Sequence, residues 1–320
     1  MNIFTSNQLA EQMHEVAEPA LAQIHTSGIM QLEDAPGGSG IYYDKYATEN
    51  AVSCVVISHG FSETAEKFKE MIYYLVSNGY MVYAIDHRGH GRSYRLSSHP
   101  CLVHVKHFYD YVEDLHRFVT TVVQAETDLP RYLIGHSMGG AVSATIIEKY
   151  PDDFSKAVLS SPMVKLLFPM PTFAVRLISG FMCAIGRSNT FGPGQHPYQG
   201  YESFEESASM NEARFDYYQA KKASTKEFQL SAFSYGWLYT SVRTIAKTRS
   251  LKECSKITIP VLVFRSGHDT LIDPSGIDEF VKNTPSARLV DVENSRHEIF
   301  NSDDEVTAAY YETIFEFFKS

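Results

Sequence analysis

The stretch "RYLIGHSMGGAVSATIIEKY", residues 131–150, decides how this chain is read. An apolar run, Tyr132 to Ile134, stops at Gly135-His136-Ser137-Met138-Gly139, and a helical pattern follows without a break. A lone serine at a strand-to-helix joint fits a nucleophile elbow. The sharp turn strains the backbone at Ser137 and lifts its hydroxyl above the sheet. Only small flanking residues, here Gly135 and Gly139, let such a turn close. The bare Gly-x-Ser-x-Gly pattern arises by chance often enough to need context. A strand before it and a helix from Gly140-Ala141 onward supply that context.

Outward from the elbow, strand-like and helical patterns alternate. "AVSCVVISHG", residues 51–60, is a continuous apolar run, as expected of a strand buried on both faces. "GIYYDKYAT", residues 40–48, alternates like a half-exposed strand. Phe68, Met71, Ile72, Leu75 and Val76 recur at helical spacing, and Asn78-Gly79 ends that helix. "YMVYAID" is the next strand. Phe108, Tyr111, Val112, Leu115, Phe118, Val119, Val122 and Val123 form a long helical stripe, and "KAVLSSP" follows the elbow helix. This βαβαβ order predicts an α/β fold with a mostly parallel central sheet flanked by helices. The pattern breaks at Pro162 and resumes at "IPVLVFRSG", residues 259–267. A helix, the strand "ARLVDVE" and a last helix carrying Val306, Tyr310, Ile314, Phe317 and Phe318 complete it. The segment between is rich in Phe, Tyr and Met, with a turn-rich stretch "NTFGPGQHPYQG". The expected organisation is a core domain from 1–162 and 251–320, with a helical cap at 163–250 inserted between two strands.

The chain has 320 residues and a formal net charge of −10, which argues against a nucleic-acid partner. Four cysteines, Cys54, Cys101, Cys183 and Cys254, lie far apart and suit neither a disulfide framework nor a metal site. A reduced, cytoplasmic setting is expected. The N-terminus has no basic and apolar leader and reads as an amphipathic helix. "LLFPMPTFAVRLISGFMCAI", residues 166–185, is the most apolar run, but two prolines and Arg176 spoil it as a membrane span.

A serine hydroxyl needs a base to take its proton. On a fold with this elbow the partners follow in the order serine, acid, histidine. His297, in "ENSRHEIF" after the last strand, is placed as the base. "RSGHDTLID" offers Asp269 and Asp273 as the acid. Asp269, in the turn just past Gly267, is preferred, because Asp273 precedes Pro274 and suits a helix N-cap. Two backbone donors should hold the oxyanion: Met138 N–H at the helix start and Phe61 N–H in the loop after "CVVIS". His59, Gly60 and Glu63 are the expected supports of that loop. No metal or organic cofactor is called for.

"HGFSE", "DHRGHGRS", "GHSMGG", "SGHDTLID" and "SRHEIF", in this order, resemble the α/β-hydrolase superfamily. They look closest to its bacterial lysophospholipase and monoacylglycerol lipase branch, which is serine aminopeptidase-like. "DHRGHGRSYRLSSHPCLVHVKHFYDYVEDL" and "MNEARFDYY" are similar to the lysophospholipase members. The resemblance implies a serine esterase that cleaves lipids with one acyl chain, lysophospholipids or monoacylglycerols, through an acyl-enzyme. The alternatives are a short-chain carboxylesterase, an aminopeptidase, and a catalytically silent ligand-binding relative. The implied partner is a small lipid or ester, with transient contact between the cap and a membrane surface.

Other residues have plainer readings. Asp86 and Arg88 should brace their loop, and His87 and His90 lack further ligands at metal spacing. His136 should turn away from the reacting face. Arg214 suits a salt bridge from cap to body, or a substrate phosphate. Residues 166–185 would be core, or would line an acyl tunnel and touch lipid.

Overall fold

The computed structural model describes residues 2–36, 39–200 and 202–320. Its strands are β1 (His25–Gln31), β2 (Gly40–Tyr46), β3 (Ser53–Ser58), β4 (Tyr80–Ile85), β5 (Leu102–Val103), β6 (Arg131–His136), β7 (Lys156–Ser160), β8 (Ala232–Phe233), β9 (Val261–Ser266) and β10 (Ala287–Val292). Eight of them form one sheet in the order β1-β2-β4-β3-β6-β7-β9-β10. The pairings from β4 to β10 are parallel, and β1 and β2 add an antiparallel edge.

Side chains on a strand alternate between faces, so a strand buried on both sides feeds two cores. Cys54 and Val56 of β3, with Leu133 and Val263, belong to one core, packed by Val112, Leu115, Ala141 and Phe280 from three helices. Val55 and Ile57, with Ile134 and Leu262, belong to the other, packed by Met13, Ile72, Leu75 and Ile314. The apolar stripe from Phe108 to Val123 becomes a helix over Tyr109–Phe118 that widens into a π-turn at Val119–Val123.

β3 is the centre of the winding. The chain continues to β4 on one side and later to β6 on the other. Such a reversal opens a crevice beyond the C-terminal strand ends, where open α/β sheets bind ligands. The loops after β3, β6, β9 and β10 carry His59-Gly60-Phe61, Ser137, Asp269 and His297, respectively.

Between β7 and β9 the chain leaves the sheet for three longer helices, Thr172–Ala184, Glu212–Ser224 and Tyr235–Thr248. The last is anchored in the body: Trp237, Leu238, Val242 and Ile245 join the first core. β8 also pairs with β5, tying this excursion to the loop after β4. The helix Thr172–Ala184 buries Val175 and Ser179 but leaves Phe173, Leu177 and Phe181 64–69% exposed. No helix among the described residues is long and apolar enough to cross a membrane.

Candidate active site

Ser137 lies between β6 and the helix Met138–Lys149, with φ +52° and ψ −117°. A non-glycine residue held there stores about 1–3 kcal/mol of strain, so its surroundings must fix it. Its N–H donates to Ser160 O at 3.1 Å, and its carbonyl accepts from Met163 N–H at 2.8 Å. The glycines answer to close approach. A Cβ on Gly139 would sit 2.0 Å from Ser58 O, and one on Gly135 would sit 2.2 Å from Ser143 Oγ.

His297 and Asp269 come from different loops and meet: Nδ1 lies 2.7 Å from Asp269 Oδ2. Asp269 Oδ1 accepts from the N–H groups of Leu271 and Ile272 at 2.9 and 3.0 Å. Burial opposes ionisation of Asp269, but the hydrogen bond and charge of His297 and the two amides outweigh it, holding its pKa below the usual carboxylate value. An ionised carboxylate only accepts, so Nδ1 carries a hydrogen, and in the neutral ring that leaves the lone pair on Nε2. That Nε2 is buried and has no hydrogen-bond partner among the described residues. His297 and Ser137 line one cavity of about 520 Å³, together with Gly60, Phe61, Leu271, Phe215 and Tyr218.

Gly60 and Phe61 form one wall. His59 spans the loop: its Nδ1–H donates to Gly60 O at 2.7 Å, and its Nε2 accepts from His87 N–H at 2.9 Å. Burial lowers the His59 pKa to about 4, so the ring is neutral, as both bonds require. Glu63 Oε2 accepts from Gly60 N–H at 2.6 Å. Among the described residues neither Phe61 N–H nor Met138 N–H has a protein acceptor, and Met138 is the first residue of its helix. The Phe61 ring rests 4.7 Å from that of Trp237, so the excursion also seats this loop.

The remaining residues divide clearly. Asp273 caps the helix Pro274–Asn283 through Ser275 N–H and pairs with Lys165 at 2.8 Å. Asp86 accepts from Ala65 and Arg92 amides, and Arg88 forks onto Asp114 at 2.7 Å. No group of His, Cys, Asp and Glu among the described residues is arranged to hold a metal ion. Arg214 is buried and does not line this cavity: it pairs with Glu70 and Asp304 and donates to Phe4 O, joining excursion, body and N-terminus. His136 differs from expectation. It lines the same cavity as Ser137, and its ring packs 4.9 Å from that of His297. Sequence reasoning does not single out Lys67, Glu298, Tyr218 or Lys222, which also line the cavity. Lys67 stands four residues after Glu63, but its second carboxylate partner lies far along the chain.

A parallel sheet with a serine elbow, a histidine–carboxylate pair and two free amides at its C-terminal edge defines an α/β-hydrolase. The chain belongs to the serine aminopeptidase S33 family, which it matches over residues 49–304. It is 27% identical over 286 residues to lysophospholipase L2 of Escherichia coli (strain K12), covering 87% of this chain and 84% of that one. It is 36% identical over 129 residues to a monoacylglycerol lipase of Mycolicibacterium smegmatis, covering 40% and 44%. Among solved structures, a monoglyceride lipase variant from Saccharomyces cerevisiae aligns with a TM-score of 0.68 at 21% identity, covering 91% and 94%. A Bacillus coagulans carboxyl esterase aligns at 0.75 and 18%, covering 92% and 98%. Both structures speak to the fold.

Proposed function

We propose that this protein hydrolyses carboxylic esters of lipids with a single acyl chain, lysophospholipids or monoacylglycerols, with Ser137 as nucleophile, His297 as base and Asp269 as its orienting acid. The observation that carries this reading is His297 Nε2, buried, unpartnered and on the same cavity as a strained serine. His297 takes the Ser137 proton as Oγ attacks the ester carbonyl. Phe61 and Met138 N–H groups receive the oxyanion. The imidazolium, stabilised by Asp269, protonates the leaving alcohol, and the neutral ring then activates water to release the fatty acid.

Residues 163–250 act in this reading as the cap. The cavity wall they contribute is polar, with Gln199, Glu202, Glu206, Gln219 and Lys222. That suits a head group better than an alkyl chain. The exposed stripe Phe173, Leu177, Phe181 has no protein cover, and Arg176 and Arg187 stand exposed beside it. An apolar face flanked by cations suits transient contact with a lipid surface. A second reading, aminopeptidase, draws on Glu202 and Glu206, which would hold a free amine.

The test is hydrolysis of one acyl series across head groups, with Ser137→Ala as control. Lysophospholipids or monoacylglycerols with C8 to C18 chains should turn over, and Ser137→Ala should lose roughly 10⁵-fold in kcat. Faster cleavage of acetyl esters, or of an aminoacyl anilide, would overturn the lipid assignment.

A further inference from the structure

We infer that Lys67 is a positioning residue for this reaction: its ammonium is a charged strut that locks the oxyanion loop to the histidine loop. The inference rests on the reading of Ser137 and His297 given above. Lys67 Nζ lies 2.9 Å from Glu63 Oε1 and also pairs with Glu298 Oε1. Each carboxylate has a second task. Glu63 Oε2 holds Gly60 N–H at 2.6 Å, which fixes the His59–Gly60 peptide, one unit before the peptide that carries Phe61 N–H. Glu298 directly follows His297, and its Oε2 accepts from Asn301 Nδ2 at 2.8 Å and Ser209 Oγ at 3.0 Å. Its own N–H donates to Ala208 O at 3.0 Å, so the strut also reaches the cap.

The arrangement is buried. Lys67, Glu63 and Glu298 side chains are 6–11% exposed. Burial works against the Lys67 charge, yet the two carboxylates outweigh it and push its pKa well above the ordinary value. Burial likewise opposes the Glu298 charge, but Lys67 prevails and holds its pKa down to about 2. Two of the three ammonium donors meet carboxylates, and Nζ also stands 5.2 Å over the Tyr218 ring. Lys67 therefore acts through its neighbours, although it lines the cavity. The loop is closely packed at Gly60: a Cβ there would lie 2.7 Å from Glu63 Oε2 and 3.1 Å from His136 Cδ2. Removing the ammonium leaves two buried carboxylates that repel each other, one bonded to Gly60 just before the oxyanion donor and one on the residue that follows the base. The transition state, which needs both in register, suffers more than ground-state binding.

The test compares wild type, Lys67→Met and Glu298→Gln on one soluble p-nitrophenyl ester. Functional sites are counted by end-point labelling with a fluorophosphonate. Per labelled site, Lys67→Met should lose about 30- to 300-fold in kcat with KM changed less than 3-fold. Glu298→Gln, which keeps the side-chain shape and can still hydrogen-bond, should lose about 10-fold and covers the case in which Lys67→Met does not fold. A purely structural role lowers the melting temperature and the number of labelled sites but leaves kcat per site intact. Wild-type kcat per site in Glu298→Gln, or in folded Lys67→Met, overturns the strut. A wild type that turns over no ester, or a Ser137→Ala variant as active as wild type, removes the hydrolase reading itself.

Discussion

The sheet body and the segment that leaves it between β7 and β9 treat apolar side chains in opposite ways. In the body, β3 is buried along its whole length and feeds two cores, and the residues of chemical interest sit where its neighbours end. In the excursion, the helix Tyr235–Thr248 joins the body core, while the helix Thr172–Ala184 turns Phe173, Leu177 and Phe181 outward. A rigid body is needed where three groups must meet within tenths of an ångström. A surface that meets lipid needs an exposed apolar face and tolerates much looser geometry. On the proposed function this difference makes chemistry and substrate capture separable, so that each can be broken alone.

The largest expected effect lies in the body. Asp269→Asn keeps the shape of the side chain but lets an amide N–H face Nδ1. The ring is then pushed into the tautomer that carries hydrogen on Nε2, and kcat should fall about 10⁴-fold on soluble and vesicle-bound esters alike. Steady-state rates on both substrates check this. A loss confined to vesicles would merge the two regions.

Acid should also strike the body first. His59, His87, His90 and His136 are buried in or beside the loop that follows β3, and burial lowers all four pKa values, His59 to about 4. The unfolded chain takes up protons as pH falls through about 6.5, while native His59 refuses them until about 4. The unfolded state therefore binds more protons in that window, and stability falls as pH falls. For His59 alone the gap amounts to about 3 kcal/mol. Asp86, pushed up to about 6 by burial, works the other way and recovers part of this. Urea midpoints at pH 7, 5.5 and 4.5 should decline, and His59→Gln should flatten the decline. Equal midpoints would refute the account.

The smallest effect belongs to the excursion between β7 and β9. Leu177→Asp with Phe181→Asp should reduce vesicle binding and vesicle-bound turnover about 10-fold, with turnover of a soluble short ester within 2-fold of wild type. Sedimentation with phosphatidylcholine–phosphatidylglycerol vesicles reads the first, and a chromogenic assay the second. Equal losses on both substrates would make that helix part of the site.

Much of this molecule was legible along the chain. Strand and helix periods are local, so Tyr132–Ile134, Val55–Ile57 and the stripe from Phe108 could be placed from the pattern. The sterics of a strand-to-helix turn are local too, which is why Ser137 stands out between Gly135 and Gly139. The turn just past Gly267 then pointed to Asp269 rather than Asp273, and the N-cap at Asp273 follows from its proline neighbour. What no pattern could supply was the partner of each charge. Lys67 and Glu298 are 231 residues apart, and Arg214 reaches Glu70 and Asp304 across the body. Nor could the period of residues 166–185 say which face meets the core, since Val175 and Phe173 are equally apolar. The chain alone determined the elements and the turn that exposes a serine, because those depend on neighbours a few residues away. Tertiary structure decided which carboxylate meets which cation and which apolar face stays bare. Those outcomes depend on packing between segments whose separation in sequence carries no information about their distance in space.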